Sequence, residues 1–195
     1  MEAKNLKTKI ICIAILLIAL VMLAKISPVK KEGITFRHDG NNLVLLLEPK
    51  NGEVFAVSGW QIKGDVMSNI PTASNLPLQG KINEEGPIIL SKKGEIIVSW
   101  AHSPLGVSFR ENKCTGLLNL FQKFEPTLTE SCTDCRGTSE YPEYNVCVYT
   151  HKADPDFFLN TWRIYLNSDV PLWTQKSRIK LLNQNGSLLA RSVSQ

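Results

Sequence analysis

The sequence of 195 residues lacks the short signatures that mark common enzyme classes. It has no G-x-S-x-G nucleophile turn, no P-loop, no G-x-G-x-x-G fingerprint and no zinc-protease histidine pair. Ser27-x-x-Lys30 and Ser177-x-x-Lys180 have a Ser-Lys nucleophile spacing. The first pair lies beside the predicted membrane segment, and the second leads into a strand, where positions i and i+3 point to opposite faces. We therefore predict no catalytic residue, no bound cofactor, no metal ligand and no enzymatic activity.

The net charge is also small once residues 1–25 are excluded. The chain has 22 basic and 18 acidic residues, and four lysines and one glutamate lie in residues 1–25, which leaves 18 against 17 in residues 26–195. A net charge of +1 gives no general argument for nucleic-acid binding. A content of 43% hydrophobic and 21% charged residues predicts a packed core rather than disorder.

Long hydrophobic runs are absent, with the exception of Ile10–Ala24. As a helix this run spans about 22 Å, against about 30 Å for a bilayer core, and Ile26 and Val29 can extend it. Cleavage after Ala24 would place Met22 at position −3, where small residues are preferred, so an uncleaved anchor is favoured over a cleaved signal. Residues 1–29 are predicted to be a transmembrane anchor or signal segment, and residues 30–195 a separate domain.

Cysteines are few, and four of the five are close together in the sequence. Cys12 lies in the apolar run, where it is most simply a small apolar residue. Cys114, Cys132, Cys135 and Cys147 predict two disulfides, with three pairings left open. Because disulfides persist in oxidising compartments, and because the flanking lysines do not decide the orientation, the cysteines favour a single-pass protein with an extracytoplasmic C-terminal domain.

Two other uses of these cysteines are weighed against disulfides. A zinc site would have the spacing C-x17-C-x2-C-x11-C, with one close pair where structural zinc sites usually offer two. A redox pair at Cys132 and Cys135 would need the start of a helix, whereas the segment is rich in turn residues. Structural disulfides are the favoured interpretation.

Short apolar runs separated by turn signals predict a β-rich domain. Asn185-Gly186 indicates a closing hairpin, and the runs on either side of Lys92-Lys93-Gly94 indicate another. Helical spacing predicts a helix at 115–124, and Asp154-Pro155 predicts an N-cap and a short helix to Thr161. The strands are expected at 43–48, 53–57, 60–63, 88–90, 95–100, 162–166, 178–182 and 187–193.

Several segments carry a family resemblance. Ser58-Gly59-Trp60 and the closing segment 180–190 resemble the lamin tail domain. The segments 103–116, 121–126 and 156–166 resemble lamin-tail-like proteins of candidate-phyla bacteria. The resemblance covers residues 34–195.

This resemblance implies an all-β fold, an immunoglobulin-like β-sandwich with a helical, cysteine-containing insertion at about 108–160. The chain lacks a coiled-coil rod, so no filament role is implied. The family brings no catalytic residues, and its implied role is binding or attachment, with ligands that vary.

Charged and aromatic residues in these segments are candidates for site or core positions. Arg110, Asn112 and Arg163 are expected to be buried and bonded to insertion carbonyls, with an anion site as the alternative. Asp154 and Asp156, with Glu140 and Glu143 nearby, could offer oxygens to calcium, although helix capping by Asp154 is favoured. The tryptophans are expected in or beside the core, and they are Trp60, Trp100, Trp162 and Trp173.

Three lysines and arginines alternate before the last hairpin. Lys176, Arg178 and Lys180 would project from one face of a strand. They predict either a charge-guarded solvent face or a patch for an anionic partner.

The sequence thus predicts a membrane-anchored, non-catalytic binding or attachment module. Its partners would be the membrane and either a protein or an anionic cell-surface polymer, with nucleic acid less favoured. The alternatives are an accessory module or unfamiliar hydrolase of the cell envelope, and a structural protein that self-associates.

Overall fold

β-Strands make up most of the regular structure, as the apolar runs predict. A computed structural model describes residues 31–39, 41–130, 132, 135 and 143–192. The strands are β1 (Ile34–Asp39), β2 (Asn42–Leu47), β3 (Phe55–Ala56), β4 (Gln61–Lys63), β5 (Met67–Asn69), β6 (Ala73–Ser74), β7 (Glu85–Gly86), β8 (Ile89–Leu90), β9 (Gly94–Ser99), β10 (Phe109–Asn112), β11 (Phe158–Tyr165), β12 (Lys180–Leu182) and β13 (Leu188–Arg191).

The larger sheet has seven strands in the order β1-β2-β9-β11-β10-β6-β7. Most neighbours are antiparallel, but β9 runs parallel to β11 and β6 runs parallel to β10. The sequence of β2 is almost continuously apolar because both of its faces are covered: Leu45 joins the main core, and Val44 on the opposite face is also buried.

A smaller sheet of four strands, in the order β13-β12-β4-β5, covers one face of the larger sheet. Leu45, Ile96 and Ile164 of the large sheet share one buried cluster with Ile62 and Leu181 of the small sheet. The described domain is therefore an all-β sandwich. Three tryptophans belong to this cluster and the fourth packs against it, which confirms the core prediction for Trp60, Trp162, Trp173 and Trp100.

The segment between β10 and β11 forms a second layer on the other face of the large sheet. It contains a 3₁₀ helix, Thr115–Leu120, and helix α1, Tyr144–His151. Phe109 and Tyr165 project from the sheet into a separate buried cluster with this segment. The other buried members are Cys114, Leu117, Leu118, Phe124, Leu128, Cys135, Tyr144, Cys147, Val148 and Phe157.

Two local predictions are wrong. The chain from 154 to 161 does not form a helix, because β11 begins at Phe158 and pairs with β9 and β10. The runs beside Lys92-Lys93-Gly94 do not form a hairpin, because β8 pairs with β3 while β9 pairs with β2 and β11. In both places long-range strand pairing prevails over a local turn or capping signal.

Other predictions are adjusted in extent. The helix expected at 115–124 is a 3₁₀ helix that ends at Leu120. β10 belongs to the large sheet, so the insertion begins after Asn112 and ends before Phe158. The closing hairpin of β12 and β13 is confirmed. The proposed anchor at 1–29 lies outside the described residues, and among the residues that are described no helix has the length and apolarity to cross a bilayer.

Candidate functional site

The four cysteines of the domain meet beside helix α1. Cys114 is paired with Cys147 and Cys132 with Cys135, with Cα–Cα distances of 5.9 Å and 5.3 Å. Cys114 Sγ also lies 3.9 Å from Cys135 Sγ, so the two pairs are in contact. The four sulfurs therefore form one cluster that ties α1 to the 3₁₀ helix and to the segment before α1.

His151 belongs to the same cluster. It follows Cys147 by four residues on α1, which places both side chains on one helix face. One ligand atom from each of Cys132, Cys135, Cys147 and His151 lies within 4.8 Å of the other three. His151 is not among the residues predicted from sequence, although its Cys-x-x-x-His spacing from Cys147 on a helix is a signal that points to it.

A carboxylate and a lysine support the histidine ring. His151 Nδ1 lies 3.0 Å from Asp154 Oδ2, and Lys113 Nζ donates to the same oxygen at 3.0 Å and to Asp156 Oδ1 at 2.7 Å. Hydrogen bonds from Lys113 lower the pKa of both carboxyl groups, and those to Asp156 and Asp154 raise the pKa of Lys113. The prediction that Asp154 caps a helix is wrong, because no helix begins there and the chain enters β11 at Phe158.

Asn112 holds the two helices of the segment together. Its side chain is fully buried; Nδ2 donates to Tyr144 Oη at 3.0 Å, and Oδ1 accepts from the backbone N–H of Cys114 at 2.9 Å. Burial raises the pKa of Tyr144 to about 12, and the bond from Asn112 opposes that rise. Asn112 thus fixes the position of Cys114 relative to the start of α1.

Arg163 attaches the segment to the sheet. It is buried on β11, where Nε donates to the carboxylate of the fully buried Glu111 on β10. Its other two nitrogens donate to the carbonyl oxygens of Pro126 at 2.6 Å and Thr127 at 3.1 Å. The guanidinium therefore uses its donors on one carboxylate and on the segment's backbone, the arrangement expected of a structural arginine.

Arg110 has a different environment on the neighbouring strand. Nε donates to Leu159 O at 2.7 Å and a terminal nitrogen donates to Asn160 Oδ1 at 3.1 Å, both on β11. The guanidinium also lies over the rings of Phe158 and Trp162, 5.0 Å and 5.8 Å from their centroids. Partial burial lowers its pKa, and its contacts hold β10 against β11.

The Ser58-Gly59-Trp60 motif forms a bonded corner between β3 and β4. Ser58 Oγ donates to Pro71 O at 3.0 Å and accepts from the N–H of Ile88 at 2.9 Å. Gly59 has a φ of +85°, which a glycine adopts without strain. Trp60 is buried and meets Phe55 edge to face, with ring centroids 6.0 Å apart.

The outer face of the four-stranded sheet carries a row of cations. Lys180 on β12 is the Cα partner of Arg191 on β13 and of Lys63 on β4, and all three side chains are exposed. Arg178 and Lys176, also exposed, precede Lys180 at intervals of two residues. Within the part of the chain that the structure describes, none of the five forms an ion pair.

The structure extends the predicted patch and changes its centre. Lys176 and Arg178 lie before β12, so Lys180 is the single member of the predicted trio on a strand. Arg191 and Lys63 were missed, because their place beside Lys180 depends on strand register. The nearby carboxylate of Asp65 accepts a hydrogen bond from Ser177 Oγ at 2.6 Å.

The calcium alternative gains little from the structure. Asp154 and Asp156 are both bonded to Lys113, and Glu140 lies outside the described residues. Comparison with known protein families, with curated proteins and with solved structures finds no match to this chain. Any statement about function therefore depends on the residues described above.

Proposed function

We propose that this protein is a non-catalytic attachment module, tethered to a membrane by its N-terminal apolar segment, whose external domain binds an anionic cell-surface polymer. The supporting observation is the row formed by Arg191, Lys180 and Lys63 on adjacent strands. We also propose that the sandwich is immunoglobulin-like and related to the lamin tail domain, as the sequence resemblance implies.

The charge arrangement of the row supports a ligand role. Like charges directly opposite on neighbouring strands have Cβ atoms about 5 Å apart and destabilise a sheet by roughly 0.2–1 kcal/mol per pair. Lys180 has such a neighbour on both sides, and no carboxylate of the described residues pairs with it. A polyanion would neutralise the row, with Arg178 and Lys176 extending the contact along the chain.

A polymer suits this surface better than a small anion. The row lies on the exposed face of a sheet, so it offers several separate surface contacts. Phosphate or carboxylate groups repeated along a chain can meet several of these cations at once, which gives additive, salt-sensitive binding.

Three polar residues of the domain support a structural rather than a catalytic use of its polar side chains. Arg163, Asn112 and Ser58 each have their polar atoms bonded to backbone or side-chain partners within the fold. These bonds hold loops in place.

The test is a binding assay on the full chain in detergent, with fluorescent polyphosphate and poly-L-glutamate as probes. A triple variant, Lys63→Glu, Lys180→Glu and Arg191→Glu, should lose at least tenfold in affinity for one or both probes. The slope of log K against log salt concentration should also fall by roughly three, about one for each cation removed. The matched control, Lys81→Glu, Lys92→Glu and Lys152→Glu, changes net charge equally at exposed positions outside the row.

Three results would contradict the proposal. Equal losses in the two triple variants would mean that net charge, not the row, attracts polyanions. Binding to vesicles with 30% phosphatidylglycerol but to neither polymer would assign the face to lipid headgroups. Concentration-dependent self-association without probe binding would instead favour the structural alternative.

A further inference from the structure

The cysteine cluster and His151 have the ligand order of a zinc site. Cys132, Cys135, Cys147 and His151 follow the pattern C-x2-C-x11-C-x3-H. A Cys-x-x-Cys pair followed by two ligands one turn apart on a helix is a common zinc-binding arrangement. With His151 included, the segment has the two close ligand pairs that such a site requires.

The positions of the ligand atoms agree with this pattern. Four ligands at the corners of a zinc tetrahedron, with Zn–S bonds of about 2.3 Å, are separated by about 3.8 Å. In the structure one atom from each of the four residues lies within 4.8 Å of the others. Cys135 and Cys147 are buried, and Cys132 and His151 are partly exposed, which leaves a route for an ion.

The histidine is supported in the way that metal-binding histidines usually are. Asp154 Oδ2 lies 3.0 Å from Nδ1 of His151 and is itself bonded by Lys113 at 3.0 Å. A carboxylate that accepts one ring N–H fixes the orientation of a histidine and leaves the electron pair of its other nitrogen for a metal.

We propose that the reduced chain binds one Zn²⁺ ion through the thiolates of Cys132, Cys135 and Cys147 and the unprotonated ring nitrogen of His151. Cys114 Sγ lies beside the sulfurs of Cys147 and Cys135, but the four ligand atoms that all lie within 4.8 Å of one another do not include it, so Cys114 is left out of the set. Asp154 is a positioning residue that acts through His151.

The ion and the two disulfides are alternative ways to close the same segment. A thiolate bound to zinc is not available for an S–S bond, so each state excludes the other. The Cys114–Cys147 disulfide joins α1 to the start of the 3₁₀ helix, whereas the ion would join α1 to Cys132 and Cys135. The zinc site shares no residue with the basic row, so either proposal can fail without the other.

The test is a Co²⁺ titration of the full chain in detergent, reduced and free of oxygen, in a Cys12→Ser background. We expect one equivalent of Co²⁺ to give sulfur-to-cobalt charge-transfer absorption and the intense d–d bands of a tetrahedral site, both removed by Zn²⁺. Cys132→Ser and His151→Ala should each weaken binding at least tenfold. Asp154→Ala should weaken it by about 10- to 100-fold, while Cys114→Ser and the control His102→Ala should leave it unchanged.

A ligand exchange separates coordination from a merely structural role of His151. His151→Cys should retain binding and move the d–d bands to longer wavelength, because thiolate is a weaker-field ligand than imidazole. Absence of charge-transfer bands in the reduced chain would overturn the proposal. Binding that survives His151→Ala but is lost in Cys114→Ser would assign the site to the four cysteines and refute the role of the histidine.

Discussion

Gln184 Nε2 donates a hydrogen bond of 2.6 Å to the carbonyl oxygen of Ser58, although the two residues are 126 positions apart in the sequence. Gln184 lies in the turn of the closing hairpin, and Ser58 begins the corner between β3 and β4. The bond joins the corner between β3 and β4 to the closing hairpin through a backbone carbonyl and one glutamine side chain.

Gly59→Ala should destabilise the domain by more than Gly52→Ala. Both glycines have positive φ, +85° and +77°, so alanine is strained at either position by about 1–2 kcal/mol. A Cβ on Gly59 would lie 3.1–3.3 Å from side-chain atoms of Gln184, whereas a Cβ on Gly52 meets nothing within 4 Å. Thermal unfolding followed by tryptophan fluorescence measures the difference, since all four tryptophans lie within residues 31–195.

The double variant Gly59→Ala with Gln184→Ala provides the control. Removal of the Gln184 side chain should abolish the steric part of the destabilisation caused by Gly59→Ala. The remaining destabilisation should come from the positive φ and from the lost hydrogen bond to Ser58. If Gly59→Ala and Gly52→Ala cost the same, the contact with Gln184 is not restrictive.

Replacement of Arg163 by Met should destabilise the domain by about 3–5 kcal/mol, because the buried carboxylate of Glu111 loses its charged partner. The carbonyl oxygens of Pro126 and Thr127 would also lose donors. The matched change Arg163→Met with Glu111→Gln should recover part of this loss, as it removes the unpaired charge. A loss below about 1 kcal/mol in urea unfolding of the single variant would show that Arg163 does not hold the segment.

Asn112→Ala should cost about 2–4 kcal/mol, because it leaves the hydroxyl of Tyr144 and the N–H of Cys114 without partners in a buried site. Tyr144→Phe should cost less, since it removes one of these two bonds. A double-mutant cycle between the two positions measures their coupling in urea unfolding. Additive effects would mean that the bond between Asn112 and Tyr144 contributes little.

The strands of this fold were easier to predict from sequence than their partners. Leu43–Glu48 reads as a buried strand because its apolar run is local, and β2 occupies 42–47. The pairing of β9 with β11 joins residues that are 66 positions apart, such as Glu95 and Thr161, and no local pattern encodes it. The same limit explains why the helix predicted from Asp154-Pro155 is wrong. A capping signal is local in the sequence, whereas the strand pairing of β11 is long-range.

The candidate sites divide in the same way. The cysteines and the alternating cations before β12 are visible in the sequence. His151 was within reach through its spacing from Cys147, but Asp154 as its partner required the structure. Lys63 joins the basic row through the register of β4 with β12, which the sequence does not specify.

Stability should fall as pH rises from about 10 to 12. Burial raises the pKa of Tyr144 and of Tyr165 to about 12. The charge of Arg163 partly opposes the rise at Tyr165, and the charge of Glu111 adds to it. An unfolded tyrosine has a pKa of about 10, so in this window the unfolded chain releases protons that the folded chain retains. The stability that each buried, protonated tyrosine contributes is fully present below pH 10. It is lost as the pH rises through the folded pKa of about 12, and it amounts to roughly 2–3 kcal/mol for each tyrosine.

Phenylalanine variants test this assignment. Tyr165→Phe and Tyr144→Phe should each flatten the fall in urea midpoint between pH 10 and 12, because the removed hydroxyl can no longer ionise. The slope, not the absolute stability, is the quantity to compare, since each variant also changes packing. An unchanged slope in both variants would assign the alkaline loss to other groups.

Lys180→Thr should stabilise the domain while it weakens polyanion binding. Threonine favours strands, and the substitution removes the repulsion from Arg191 and Lys63, worth roughly 0.2–1 kcal/mol for each pair. The gain should be largest at low ionic strength, where the repulsion is least screened. Thermal unfolding at 20 mM and 500 mM salt, beside the polyphosphate assay, measures both effects. If Lys180→Thr changes neither the unfolding temperature nor the polyphosphate affinity, the lysine serves solubility alone. A higher unfolding temperature together with a weaker affinity would indicate that the row lowers stability in exchange for ligand binding.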